Sequence, residues 1–262
     1  MAGDDLDIRM VAAGEIIRAA GTVALSYFRG GGDLAVREKS RRDVVTAADL
    51  AVDRLIRERL VRAFPLDGIM TEESGGVVTP DLWVVDPIDG TGNFVRGIAH
   101  FAISIAFQRG GRTELGLVLD PVGGELYTAR RGGGAWLDGR RLSASAAFDP
   151  AHALVDAGYS ERRPLGEYHA LVGRLLDAGF GFCQYGSAAL GLAFVASGRF
   201  DAFCETDLMA WDVLAGLLLV REAGGWASDF IVAPDEPLAR AVLACASGLA
   251  PSLRQVTGVD GA

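Results

Sequence analysis

Two aspartates three residues apart, Asp86 and Asp89, lie in the string Trp83-Val84-Val85-Asp86-Pro87-Ile88-Asp89-Gly90-Thr91-Gly92-Asn93-Phe94. Leu82 to Val85 has the β-branched and aromatic content of a short buried strand, and the Asp-Pro and Asp-Gly dipeptides predict that it ends there in a tight turn. Both carboxylates then project from one strand end. Pro87 fixes φ, Gly90 permits close backbone approach, and the amides of Gly90, Thr91 and Gly92 are left to face an anion. The alternative is a plain hairpin turn whose aspartates bond their own backbone. Two acids beside such an amide nest favour a loop that holds cations next to a phosphate.

Three further acids stand where an element begins or ends. Thr46 and Asp49 have the spacing of a capping box ahead of a helix whose apolar face is Val52, Leu55, Ile56, Leu60 and Ala63. Asp49 is either a first-turn acid favoured by the helix dipole or a group with a catalytic task. In Ile69-Met70-Thr71-Glu72-Glu73-Ser74-Gly75-Gly76, an inward Met70 at a strand end sends Glu72 to the same side by period-2 alternation. Trp211-Asp212 opens a strongly apolar helix through Val220 and Glu222 that Gly224-Gly225 stops, so Asp212 is a capping acid or a ligand at a helix N-terminus. His100, His152 and His169 form no H-x-x-x-H pair, and Cys183, Cys204 and Cys245 no C-x-x-C. A metal here is therefore expected to be held by oxygen, which selects magnesium or manganese.

The elements that position these groups are legible from periodicity. Leu6, Met10, Ala13, Ile17, Ala24 and Phe28 predict a first helix that stops at Gly30-Gly31-Gly32, and Pro65 ends the second. Phe101 to Phe107, Glu114 to Leu119 and Glu125 to Ala129 read as an antiparallel meander, and Asp138-Gly139 adds a hairpin. After a boundary at Ser143 to Pro150, strands at Leu154 to Gly158, Phe180 to Tyr185 and Phe200 to Glu205 alternate with helices at Leu165 to Ala178 and Ser187 to Ser197. That alternation implies a sheet covered by helices. No dinucleotide fingerprint or P-loop occurs at a strand-to-helix junction.

Composition narrows the partners. At 262 residues, half of them hydrophobic, the chain can bury a large core as one domain or two intimate subdomains. The formal charge of −9 argues against a surface for a phosphate backbone, so nucleic acid is not expected as a partner. The longest apolar runs fall short of the ~20 residues that span a bilayer, and the acidic start Met1-Ala2-Gly3-Asp4-Asp5 is unlike a secretory signal. A cytoplasmic protein without a membrane partner is expected.

Glu72 before Ser74, the Asp86 loop, and Trp211-Asp212 followed by Glu222-Ala223-Gly224-Gly225 together resemble the inositol monophosphatase family. That family pairs D-P-[IL]-D-G-T-x-N-[FY] with an upstream G-E-E and a downstream W-D-x-x-A-G. The resemblance implies an α+β fold, a layered α-β-α-β-α sandwich, here divided into subdomains 1–145 and 146–262. It implies a magnesium-dependent phosphomonoesterase with two or three ions per site, manganese as a substitute, lithium sensitivity and a homodimer. Carried over, Glu72, Asp86, the carbonyl of Ile88, Asp89 and Asp212 are metal ligands. Gly90 and Thr91 amides hold phosphate with Lys39 near its entrance, Thr91 and Asp49 orient the attacking water, and Gly186, Ser187, Ala188 and Glu205 contact the leaving group. The expected substrate is inositol 1-phosphate. Histidinol phosphate, fructose 1,6-bisphosphate and nucleotide 3′-phosphates are the alternatives within the superfamily, and a non-catalytic binding subunit is the alternative outside catalysis. Thr71 departs from the family's glycine, and Gln184-Tyr185 and Gly191 depart from an arginine and an aspartate common in bacterial relatives.

Overall fold

The computed structural model describes residues 2–30, 36–40, 43–232 and 238–260. The first part of the chain gives α1 (Ala2–Gly30), β1 (Arg37–Ser40), β2 (Asp43–Val45), α2 (Ala47–Ala63), β3 (Gly68–Thr71), β4 (Asp81–Asp89) and the single turn α3 (Thr91–Phe94). The meander follows as β5 (Ala102–Arg109), β6 (Arg112–Asp120), β7 (Glu125–Arg130), β8 (Gly134–Leu137) and β9 (Arg140–Arg141). The rest comprises β10 (Leu154–Ala157), α4 (Leu165–Asp177), β11 (Gly181–Cys183), α5 (Ala188–Ala196), β12 (Ala202–Met209), α6 (Ala210–Glu222), β13 (Trp226–Ala227), β14 (Ala239–Cys245) and α7 (Ala250–Thr257).

β3 to β9 form one seven-stranded sheet in sequential order, and the second sheet has the order β11-β10-β12-β14-β13. The first sheet is antiparallel except that β3 runs parallel to β4. In the second, β10 lies parallel to β11 and β12, whereas β14 returns antiparallel to β12. α1 and α2 cover one face of the first sheet. α5 and α6 lie between the sheets, and α4 and α7 close the far side of the second. The five layers are helix, sheet, helix, sheet, helix, as the resemblance implies.

The central helix layer explains the composition of its segments. Ala188 to Ala193 are all buried, and so is every residue of α6 from Val213 to Val220, because these helices meet a sheet on each side and keep no solvent face. α1 shows the one-sided pattern instead, with Ala13, Ile17, Ala20 and Ala24 buried against the first sheet and Ile8 and Val11 exposed.

Two strands run well past their expected ends. β4 does not stop at Val85 but runs to Asp89, and the turn comes at Gly90. Asp86 pairs with Ser104 and Asp89 with Ala102, so β4 takes three steps where β5 takes two. This is a bulge, and Pro87, with no N–H to donate, falls inside the break where no ladder bond is required. β12 likewise continues past Glu205 to Met209, with a matching slip between Glu205 and Leu208. The strands and helix after Gly225 form without a counterpart in the reading of the sequence.

Candidate active site

The bulge in β4 decides which way the acids point. Leu82 and Val84 pack toward α5 and α6, while Trp83 and Val85 pack toward α1 and α2. In an unbroken strand Asp86 and Asp89, three apart, would face opposite sides. The extra residue resets the parity: Ile88 joins the Trp83 side despite its even number, and Asp89 returns to the side of Asp86. α6 supplies the third acid, Asp212, from its first turn. Oxygen atoms of Asp86, Asp89 and Asp212 all lie within 4.8 Å of one another.

Each carboxylate is anchored by backbone. Asp86 accepts the Ile88 N–H at 2.9 Å, and Asp212 accepts the Met209 N–H at 2.8 Å, so Asp212 is cap and cluster member at once. Asp89 accepts the hydroxyl of Ser187 and the amides of Ala188 at 3.3 Å and Ala189 at 2.8 Å. Ser187 in turn caps α5 by accepting the Leu190 N–H at 3.4 Å. The Gly186-Ser187-Ala188 segment thus holds Asp89 as well as lining the cleft.

Burial and mutual repulsion strain the group electrostatically. Burial first, then the charges of Glu72, Asp89, Asp212 and Asp49, push the Asp86 carboxyl well above its ordinary range. Asp212 is driven well up by burial, then by Asp89 and Glu72. Burial lifts Asp89 to about 6 against the three hydrogen bonds that hold its charged form. Carboxylates gathered at this cost, all with oxygen donors, fit hard divalent cations between them. Glu72 stands just beyond β3, outside the close triad but near enough for its charge to act on two of the three.

Gly90 turns the chain from β4 into α3 at φ 93°, where a side chain is disfavoured, and a Cβ there would sit 3.0 Å from the Gly186 carbonyl oxygen. The amides of Thr91 and Gly92 open α3 with no carbonyl of that helix behind them, as an anion-facing nest requires. Thr91 Oγ1 lies 3.1 Å from Asp49 Oδ1 and 2.9 Å from the Ile88 carbonyl oxygen. Asp49 is fully buried at the start of α2, where its other oxygen completes the capping box with the backbone and hydroxyl of Thr46. Burial raises its pKa despite those bonds. Asp49 is thus the capping acid of α2 and at the same time the acceptor for Thr91. Lys39 lies on β1, with its side chain outside the described residues.

A cleft of about 180 Å³ opens beside Asp89 and Asp212. Glu205 lines it, pushed well up by burial, then by Asp212 and Asp89. Asp156 on β10, which the sequence reading passed over, lines it too. Asp156 is 1% exposed, accepts the Tyr185 N–H at 3.2 Å, and has one oxygen without a hydrogen-bond partner. Burial lifts it to about 6. A Cβ on Gly191 would stand 2.7 Å from that oxygen and 2.6 Å from the Phe203 ring, which is why the departure at Gly191 suits this chain. No motif marked Asp156. Its signal was a lone acid inside the apolar run of a buried strand.

Comparison with known proteins agrees with this geometry. The model of the inositol monophosphatase family matches residues 5–257. An inositol-1-monophosphatase from Rhizobium meliloti (strain 1021) is 43% identical over 230 residues, 86% of each chain. A protein named Nus factor SuhB from Escherichia coli (strain K12) is 42% identical over 218 residues, 81% of this chain and 82% of its own. Among solved structures, the IMPase of Thermotoga maritima superposes with a TM-score of 0.84 at 30% identity, covering 98% of this chain and 97% of that one. The extragenic suppressor protein suhB from Bartonella henselae gives 0.88 at 32% identity, with 95% and 97% covered.

Proposed function

Because the chain belongs to the inositol monophosphatase family, we propose that it is a magnesium-dependent phosphatase that hydrolyses inositol 1-phosphate or a closely similar polyol monophosphate. The observation that carries this is the triad of Asp86, Asp89 and Asp212 beside the Thr91–Asp49 pair. The triad, Glu72 and the Ile88 carbonyl would hold two or three Mg²⁺ ions, with Mn²⁺ as a substitute. Bound there, divalent ions supply charge neutralisation for the phosphate and an activated water.

The chain's own groups do the rest. Gly90 and Thr91 amides receive phosphate oxygens, with Lys39 at the entrance, and the protein dipoles are fixed before charge develops. Thr91 Oγ1, whose proton faces Asp49 and the Ile88 carbonyl, orients the attacking water; as the water gives its proton to Thr91 Oγ1, the Thr91 proton passes to Asp49 Oδ1, whose pKa burial raises. At the other end, Gly186, Ser187, Ala188 and Glu205 border the leaving group.

Charge supports a polyol leaving group over a second phosphate. Among the described residues the cleft lining contains Asp156 and Glu205 but no lysine, arginine or histidine. Arg162, whose charge reaches Glu205, is bound to Asp207 at 2.6 Å. Carboxylates accept from hydroxyls and repel a second anionic group, which disfavours fructose 1,6-bisphosphate. A homodimer and lithium sensitivity rest on the family resemblance. No helix among the described residues is long and apolar enough to cross a membrane.

The second reading is a binding role of the kind the name Nus factor denotes, favoured by the 42% identity to proteins so named. The complete set of acids favours catalysis. Phosphate release from a panel of inositol 1-phosphate, histidinol phosphate, fructose 1,6-bisphosphate and nucleotide 3′-phosphates separates the readings. Preference for the inositol ester supports the proposal, and no release from any of them favours the binding role.

A further inference from the structure

The Glu72 loop is fastened to the molecule at three points. It closes on itself through Thr71 and Gly75, whose N–H groups donate to each other's carbonyl oxygens at 3.1 and 2.9 Å. Glu72 N–H donates to the Val85 carbonyl at 3.2 Å, one residue before Asp86. Ser74 makes the third tie. Its N–H donates to Thr71 Oγ1 at 3.0 Å, and its hydroxyl donates to Asp53 Oδ2 at 2.5 Å. The hydroxyl of Thr71, absent from a glycine, thereby shapes the turn that carries Glu72.

Asp53 is a costly group for a surface-style helix acid. It is 4% exposed, and its second oxygen has no hydrogen-bond partner. A buried carboxylate with one unpaired oxygen costs stability, so its place points to a task other than solvation of a helix face. Its place on α2 shows what that is. Asp49 and Asp53 are four residues apart and share one helix face. Asp49 reaches Thr91 and Asp53 reaches Ser74, so one rigid helix sets both the phosphate loop and the Glu72 loop. Glu72 itself, on a long flexible side chain beyond the end of β3, depends on its backbone being held if its charge is to stay beside Asp86 and Asp212.

We propose that Asp53, through the hydroxyl of Ser74, is a positioning residue that holds the Glu72 loop against the carboxylate cluster and so sets the affinity of the site for divalent cations. This rests on the metal-site reading above. Loss of a group that orients a ligand typically costs about 10- to 100-fold in metal affinity.

The test is direct Mn²⁺ binding, read by the electron paramagnetic resonance signal of the free ion, with melting temperatures in EDTA measured alongside. Ser74→Ala and Asp53→Ala should each weaken Mn²⁺ binding by about 10-fold or more. Ser74→Thr, which restores a hydroxyl, should recover it. The double variant should be no weaker than the worse single one, because both break one link. If Asp53→Ala does not fold, Ser74→Ala and Ser74→Thr carry the test. Wild type binding Mn²⁺ while Ser74→Ala binds it within twofold, with only the melting temperature changed, would overturn the positioning role and leave the metal site standing. A wild-type protein that binds no Mn²⁺ would overturn both.

Discussion

Asp49 divides its two oxygens between tasks: one caps α2 through Thr46 and the other receives Thr91 Oγ1 at 3.1 Å. Thr91→Ala leaves the backbone amide and every carboxylate in place, so KM should change little while kcat falls by about 10²- to 10⁴-fold. Asp49→Asn should fall similarly, and the double variant no further, as steady-state kinetics on one substrate will show. Multiplicative losses would separate the pair. Asp156 allows a different test. Held at about 6 against an ordinary 3.8, it makes the folded chain bind more protons than the unfolded chain between those values. Stability therefore falls as pH rises through that window, by on the order of 3 kcal/mol. Asp156→Asn escapes this loss, so in EDTA its melting temperature should gain on wild type from pH 4 to 7 and then level off. A gap that stays flat across that range would assign the titration elsewhere. The clustered acids Asp86, Asp89 and Asp212 were legible because each lay in a motif with a turn or cap signal beside it. Asp156 was not, because a buried acid's role depends on neighbours from α5 and the 184–187 segment that its own strand does not announce.

At the scale of elements, the bulge in β4 is what allows a D-x-x-D spacing to present two carboxylates on one side. Sequence reading placed both acids at one strand end but ended the strand too early, because Asp-Pro is a turn signal unless a bulge absorbs the proline. The meander, the capping box of α2 and the two apolar helices were legible from period and caps alone. β13, β14 and α7 were not, since β13 has two residues, β14 is buried without alternation from Val242 to Cys245, and α7 has only eight residues. Gly90 joins β4 to α3, and Gly90→Ala would place a Cβ at φ 93° and 3.0 Å from the Gly186 oxygen. The backbone strain alone should cost about 1 to 2 kcal/mol in urea denaturation. Displacement of Gly186 would loosen the Ser187 grip on Asp89, lowering kcat/KM by up to about 10²-fold. An unstrained Gly90→Ala variant with full activity would show that the close approach is not required.

For the whole molecule, the two sheets share the α5–α6 layer, and one apolar cluster runs from Val84 and Ala106 through Leu217 to Phe203 and Val242. Subdomains 1–145 and 146–262 should therefore unfold together. Calorimetry and far-ultraviolet dichroism in EDTA should give one coincident transition, and two separated transitions would mean independent halves. The site is built across the same seam, with Asp86 and Asp89 from the first sheet and Asp212 from α6. Its claim to hold the cations that hydrolysis requires is tested most directly by titrating Mg²⁺ into EDTA-treated wild type and Asp212→Asn while following phosphate release from inositol 1-phosphate. The account predicts no turnover without Mg²⁺, full recovery in wild type, and a strongly raised half-saturating Mg²⁺ concentration in Asp212→Asn with a melting temperature in EDTA no lower than that of wild type. Full turnover in EDTA, or an Asp212→Asn enzyme with wild-type magnesium dependence, would contradict it.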